Sequence, residues 1–97
     1  MPRSVSYQET LIESLKNPEE AALYIEACLE EGDPEVLRLA IQDVIEAYSR
    51  MNKLSEKAQI LHTKIDILLA ERKEVEQLYY LSALLDELGF HLAVKVK

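Results

Sequence analysis

The sequence contains very little glycine, proline or cysteine. Two glycines and three prolines leave few places for tight turns, which argues against an all-β fold with many hairpins. Cys28 is the only cysteine, so one chain can form no internal disulfide and no metal site built from several cysteines. No apolar run reaches the roughly 18 residues of a membrane span. The N-terminal residues also lack the apolar core of a signal peptide. These absences predict a helical, cytoplasmic protein that does not enter a membrane.

The residues that are present suit a single small domain covering residues 1–97. Apolar residues make up 48% of the 97 residues, which is enough for one core. The charge is uneven: residues 1–48 carry three basic and eleven acidic side chains, and residues 49–97 carry eight and seven. A net charge of −7 disfavours non-specific binding to nucleic acid. Any nucleic-acid contact is therefore expected in the second half.

Capping signals divide the first half into three helices. A spacing of four between apolar residues predicts a helix over residues 7–16. Asn17-Pro18 and Asp33-Pro34 each place a capping residue before a proline at the first helical position, and Gly32 suits the end of the second helix. The predicted inner faces consist of Tyr7, Leu11, Leu15, Ala21, Ala22, Ile25, Cys28, Leu29, Leu37, Ala40, Ile41, Val44 and Tyr48.

The second half continues the helical periodicity with one break. We predict a short helix over "KLSEKA", a turn at "QILH" (residues 59–62), a helix to Ala70, and a last helix from about Val75 to Leu88. Thr63 and Asp66 have the spacing of a capping box after that turn. The predicted inward residues are Leu54, Ala58, Ile65, Leu68, Leu69, Leu78, Leu81, Leu84, Leu85 and Leu88. Together these patterns predict an all-α fold of five to six helices.

The last eight residues change from helical to strand periodicity. The alternating residues Phe90, Leu92, Val94 and Val96 predict a short C-terminal β-strand with one apolar face. A lone strand leaves its backbone groups unpaired, so we expect it to pair with the same strand of a second copy in a two-fold homodimer. Pairing with an extended "RSVS" segment (residues 3–6) is the alternative.

The segment "SLKNPEEAALYIEACLEEGDPEVLRLAIQDVIEA" resembles the addiction-module antidote family, which are antitoxins with a lambda-repressor-like (Xre/Cro-type) helix-turn-helix. The similarity lies in residues 15–19, 21–25, 29–34 and 40–47, and continues through "MNKLSEKA" to "LDELGFHLAVK". The middle of the chain, around residues 59–61, departs from the family pattern. The family usually has glycine at position 59 and serine or threonine at position 61, where this chain has Gln59 and Leu61.

The resemblance implies a DNA-binding antitoxin of a toxin–antitoxin system that also acts as a transcriptional autorepressor. Its partners would be double-stranded operator DNA, a cognate toxin and a second copy of itself, with two recognition helices about 34 Å apart. Polar side chains would contact base edges, and basic side chains would contact phosphates. The residues predicted to contact DNA are Arg50, Lys53, Lys57, Gln59, His62, Thr63, Lys64, Arg72 and Lys73. The alternative is a protein-interaction or dimerisation module, built on an altered helix-turn-helix, that does not bind DNA.

Acidic side chains of the first three helices form a second candidate surface. Glu13, Glu19, Glu26, Glu30 and Glu35 would complement a basic, RNA-cleaving toxin, and a solvated face without a partner is the alternative.

Catalysis has no support in the sequence. Paired carboxylates such as Glu9 and Glu13 have no base beside them. His62 and His91 have no histidine or cysteine partner at helical spacing, so neither a metal site nor a cofactor is expected. In the pair Tyr79-Tyr80, one ring is expected in the core, and the other either packs there or lies at a dimer interface.

Overall fold

The computed structural model describes the backbone of residues 2–71 and 74–92 and the side chains of residues 7–71 and 77–92. These residues form five helices and no strand: α1 (Pro2–Ser14), α2 (Pro18–Glu31), α3 (Pro34–Arg50), α4 (Glu56–Glu71) and α5 (Glu74–Glu87). The prediction of an all-α fold is confirmed for this part of the chain. The chain divides into two compact units, Met1–Leu54 and Ser55–Lys97, called the first and second units below.

The first unit packs α1 and α2 against α3. The predicted inner face of α3 is confirmed, and Ala47 joins it. On α1, the prediction that Tyr7 faces inward is wrong, because the buried residues are Ile12 and, just after the helix, Leu15. Ala22 and Leu29 of α2 are also exposed, since Ala21, Ile25 and Cys28 already fill the stripe that faces α3.

Side-chain caps fix where α2 and α3 begin. The Asn17 side chain accepts hydrogen bonds from the backbone N–H groups of Glu19 and Glu20, at 2.9 and 3.2 Å. Asp33 accepts one from the N–H of Glu35 at 2.9 Å. Gly32 ends α2 with a φ of 76°, a conformation that glycine adopts without steric penalty. These caps are the ones that the sequence predicts.

The predicted short helix "KLSEKA" is wrong. Asn52 has a φ of 56°, and the N–H of Lys53 donates to the carbonyl oxygen of Tyr48 at 2.9 Å. That pairing is the Schellman ending of α3, so residues up to Lys53 belong to its termination. Ser55 then caps α4, because its Oγ accepts the N–H of Ala58 at 3.0 Å.

The predicted turn at residues 59–62 is also wrong, because α4 runs through it without a break. No glycine or proline occurs between residues 56 and 71, and most residues there favour helix. Thr63 does not form a capping box: its Oγ1 donates to the carbonyl oxygen of Gln59 at 3.1 Å, one helical turn back.

Packing against α5 reinforces the continuous α4. The buried residues of α4 follow each other every three or four positions, and three leucines of α5 and Leu88 just after it are buried with them. Gln77 of α5 also donates from Nε2 to the carbonyl oxygen of Leu68 at 3.0 Å, near the end of α4. The predicted inward residue Leu78 is instead exposed. The buried residues of this unit are Ala58, Leu61, Ile65, Leu69, Leu81, Leu84, Leu85 and Leu88.

The described residues after α5 do not form the predicted strand. The N–H of Phe90 donates to the carbonyl oxygen of Leu85 at 2.8 Å, and Gly89 has a φ of 93°, so Phe90 completes a Schellman ending of α5. Leu92 is not in a strand either, and Val94 and Val96 lie outside the described residues. The alternative pairing with residues 3–6 is wrong, because these residues are part of α1.

Candidate DNA-binding and protein-binding surfaces

The residues predicted to contact DNA are divided between the two units. Arg50 and Lys53 lie at the end of the first unit. Lys57, Gln59, His62, Thr63 and Lys64 lie on α4 of the second unit. Arg72 and Lys73 lie outside the described residues.

Arg50 is held by two carboxylates of its own unit. Its Nη1 and Nη2 atoms lie 2.9 and 3.0 Å from the two carboxylate oxygens of Glu9, and its Nε lies 2.9 Å from Glu46. The hydrogen bond and the charge of Arg50 lower the pKa of Glu9, and the same contacts raise the pKa of Arg50. Because the guanidinium fork is occupied, Arg50 joins α1 to α3 and would have to break these bonds to contact a phosphate.

The side chains of both lysines of α4 reach α5. Lys57 Nζ is 3.8 Å from a carboxylate oxygen of Glu87, and Lys64 Nζ is 5.5 Å from the centroid of the Tyr80 ring. Both side chains are exposed, so each contact is weak. Lys53 is exposed and has no ion-pair partner among the residues that the structure describes.

His62 is half-buried rather than exposed on the outer face of α4. Its Nε2 atom is buried and has no hydrogen-bond partner in the described part of the chain. Burial lowers the pKa of His62, although the charge of Asp66 one turn later raises it. Its imidazole is therefore neutral near pH 7 and offers no positive charge to a phosphate.

The outward side of α4 carries a surface that we call the outer stripe, made of Ile60, Thr63, Lys64 and Ile67. Ile60 is 52% exposed and Ile67 is 50% exposed, although both are large apolar side chains. From the sequence, Ile67 is expected on the exposed, DNA-contacting face and Ile60 in the turn at residues 59–62, and neither is assigned a role. Their separation by seven residues, outside the buried stripe of α4, was the signal that could have identified them.

The predicted acidic surface is reduced to α2. Glu13 pairs with Lys16 at 2.8 Å and Glu35 pairs with Arg38 at 3.4 Å, so neither acid is free. Helix α2 carries five glutamates and no basic residue, and none of the five has an ion-pair partner among the described residues. They are Glu19, Glu20, Glu26, Glu30 and Glu31.

Glu19 and Glu20 lie in the first turn of α2, where acids stabilise a helix, but the other three acids do not serve helix stability. Glu30 and Glu31 lie in the last turn, where the negative end of the helix dipole disfavours them by a few tenths of a kcal/mol each. Glu26 and Glu30 are also like charges four residues apart. Leu23 lies one helical turn before Glu26 and Ala27, and its side chain is 61% exposed. An apolar side chain therefore lies among these carboxylates.

Asp43 connects the three helices of the first unit. The Tyr24 hydroxyl donates to Asp43 Oδ2 at 3.0 Å, and Gln8 Nε2 donates to Asp43 Oδ1 at 2.9 Å. Burial raises the pKa of Tyr24, and the hydrogen bond and charge of Asp43 raise it further. Tyr24 therefore remains protonated near neutral pH, and its hydroxyl forms a structural link to Asp43.

The remaining candidates do not form a chemical site. Cys28 is buried, and burial raises the pKa of its thiol, with smaller contributions from Glu31 and Asp43. Among the described residues, no three histidine, cysteine or carboxylate side chains are grouped so that they could hold a metal ion. None of the helices searched combines the length and the apolar character needed to cross a membrane.

Comparison of the chain with family models, with curated proteins and with solved structures gave no match.

Proposed function

We propose that this chain is a protein-interaction module of a regulatory kind, whose partner is another protein rather than operator DNA. The observation that supports this most is the continuity of α4 through residues 59–62. A helix-turn-helix presents its recognition helix by turning the chain just before it. In this chain the residues expected to form that turn are interior residues of a helix.

The surroundings of the basic residues also favour a protein partner. Arg50 is occupied by Glu9 and Glu46, and Lys57 and Lys64 lie towards α5. DNA affinity depends largely on the number of phosphates that lysine and arginine neutralise. The net charge of −7 also makes the chain poorly suited to bind a polyanion.

We propose that the partner is basic and binds the outward side of α2. The unpaired carboxylates there would attract a positively charged protein from a distance, and Leu23 would supply an apolar contact at short range. The resemblance to antitoxins points to a toxin encoded beside this chain as the partner. Keeping Glu30 and Glu31 at the unfavourable end of α2 is consistent with selection for binding rather than for stability.

The test is co-expression of the chain with the product of the neighbouring gene, followed by affinity measurement at several salt concentrations. We expect Glu26→Lys to weaken the complex by roughly tenfold and to slow association, because it replaces an attractive charge with a repulsive one. The matched control is Asp86→Lys, the same kind of change on exposed α5, which should bind as the unaltered chain does. Equal effects of the two variants, or no complex at all, would refute the proposed partner.

A DNA-binding antitoxin and autorepressor, with a lambda-repressor-like helix-turn-helix and a dimer formed by the terminal strand, is the second candidate. Exposed Lys53, Thr63 and Lys64 favour it, since these are residue types that contact phosphates and base edges. Under this alternative α4 would have to break near Gln59 when DNA binds.

A further inference from the structure

We propose that the N-terminal half of α1 is a salt-sensitive latch on α3. The latch is the segment of residues 7–11, and two polar contacts close it: Glu9 pairs with Arg50, and Gln8 Nε2 donates to Asp43 Oδ1 at 2.9 Å. Both contacts join α1 to α3, and the ion pair weakens when salt screens its charges. Rising salt therefore opens the latch.

The two halves of α1 are attached to the first unit in different ways. Ile12 and Leu15, at and just after its end, are each 1% exposed and belong to the core. The four side chains of residues 7–10 are all exposed. Burial of a large apolar side chain stabilises more than an exposed polar contact does, so the C-terminal half is anchored by packing and the latch depends on Gln8 and Glu9.

The latch segment has little helix stability of its own. Five of the seven residues from 4 to 10 are serine, valine, tyrosine or threonine, which form helices less readily than alanine or leucine. The first turn of α1 contains no acidic residue and the last turn contains no basic one, so neither end of the helix dipole is offset by a favourable charge. A 13-residue helix is marginal in water without tertiary contacts. Loss of the contacts to α3 therefore allows this half of α1 to unwind.

The ion pair of the latch has good geometry but is open to solvent. Arg50 Nη1 and Nη2 lie 2.9 and 3.0 Å from the two carboxylate oxygens of Glu9, which is a bidentate arrangement. The two side chains are 33% and 55% exposed, so dissolved ions reach them. When Glu9 leaves, Arg50 keeps its 2.9 Å contact to Glu46 within α3. Opening therefore does not leave the guanidinium without a partner, which lowers the free-energy cost of the open state.

Opening of the latch exposes one face of α3. Leu39, Asp43, Glu46 and Arg50 follow each other at spacings of four, three and four residues, so they share that face. Leu39 is already 52% exposed with the latch closed, whereas Asp43 and Arg50 contact α1. The latch therefore makes access to this face of the first unit depend on ionic strength.

The test is amide hydrogen exchange of the full chain, resolved by residue with NMR, at about 50 and about 500 mM salt. We expect exchange at residues 7–11 to become roughly threefold faster at the higher salt, as loss of most of an exposed ion pair predicts. Residues 40–47 of α3 should keep their rates, because their attachment is apolar.

Two variants distinguish the latch from general unfolding. Glu9→Gln and Arg50→Gln each remove the ion pair, so residues 7–11 should exchange at low salt about as fast as they do at high salt in the unaltered chain. The control is Arg38→Gln, because Arg38 is 32% exposed and pairs with Glu35 inside α3; it should leave the latch unchanged. Circular dichroism confirms that each variant is folded.

Exchange at residues 7–11 that does not respond to salt overturns the proposal. Equal acceleration by Arg38→Gln also overturns it, and so does opening of residues 7–14 as one unit, since the two halves of α1 would then not differ in attachment. The latch does not depend on the partner of α2, so its failure leaves the proposed function standing.

Discussion

At the scale of single residues, several side chains that suggest ligand binding are used inside the fold. Arg50 is the clearest case: from the sequence it is a phosphate contact, but Glu9 lies 41 positions away and could not be recognised as its partner without the packing of α1 on α3. Tyr24 and Asp43 form a similar link across 19 positions. Sequence reasoning assigns such residues by type, whereas their use depends on tertiary neighbours.

Replacement of Tyr24 tests this structural use. Tyr24→Phe removes the donor to Asp43 Oδ2 and should lower the free energy of unfolding by about 1 kcal/mol, the usual net value of such a bond. The control is Tyr79→Phe, because Tyr79 is exposed and no hydrogen bond is found for its hydroxyl among the described residues. Urea denaturation monitored by circular dichroism measures both. Equal stability losses in the two variants would contradict the link.

His62 makes stability depend on pH. Its pKa in the folded chain is below the ordinary value of about 6.5, because burial disfavours the charged ring. The unfolded chain therefore binds more protons near pH 6, so the contribution of His62 is full above pH 6.5 and is lost as the pH falls from there towards the folded pKa.

Thermal unfolding between pH 5 and 8 checks this behaviour. We expect the melting temperature to fall below pH 6.5, and His62→Gln to flatten that part of the profile. His91→Gln, at an exposed position, is the control and should leave the profile unchanged. A His62→Gln profile that matches the unaltered chain would show that another group is responsible.

At the scale of elements, most of the helices were predictable, but the turn predicted at residues 59–62 does not form. Asn17-Pro18, Asp33-Pro34 and Gly32 specify the ends of α2 and α3 by local capping chemistry, which a sequence displays directly. For α4 the sequence also held the correct signal. Its apolar residues continue at helical spacing through residues 59–62, and neither glycine nor proline interrupts them. The expectation of a helix-turn-helix from the resemblance outweighed that local pattern.

The candidate surfaces were harder to predict than the helices. Ile60 could be recognised as part of the outer stripe only once α4 was known to continue through residues 59–62, because the sequence reading places it in a turn. The end of α5 near Leu88 and Gly89 was predictable, but the start of the strand at Phe90 was not: alternation from Phe90 onward suggests a strand, while the backbone hydrogen bond of Phe90 to Leu85 makes it part of a helix ending.

Substitution of Gln59 tests the continuity of α4. Inside a helix, Gln59→Gly should lower the free energy of unfolding by roughly 0.5–1 kcal/mol, and Gln59→Ala should change it by only a few tenths. At a turn of the helix-turn-helix kind the order would reverse, because glycine tolerates turn conformations that alanine does not. Chemical denaturation of both variants distinguishes the two cases.

At the scale of the whole molecule, charge and fold both favour the proposed protein partner. An acidic first unit, a second unit of nearly neutral charge and a continuous α4 together suit binding to proteins. A recognition helix preceded by a turn at residues 59–62, which the DNA-binding alternative needs, is not formed in the described part of the chain. The resemblance to antitoxins fits the proposed partner of α2 better than it fits binding to an operator.

The most direct test is a titration of the DNA fragment upstream of this gene, followed by fluorescence anisotropy from about 50 to 200 mM salt. We predict no binding that distinguishes this fragment from an unrelated one of equal length, even at the lowest salt. Selective binding that weakens steeply as salt rises, and that Lys53→Glu or Lys64→Glu reduces, would contradict the claim that this chain binds protein rather than DNA.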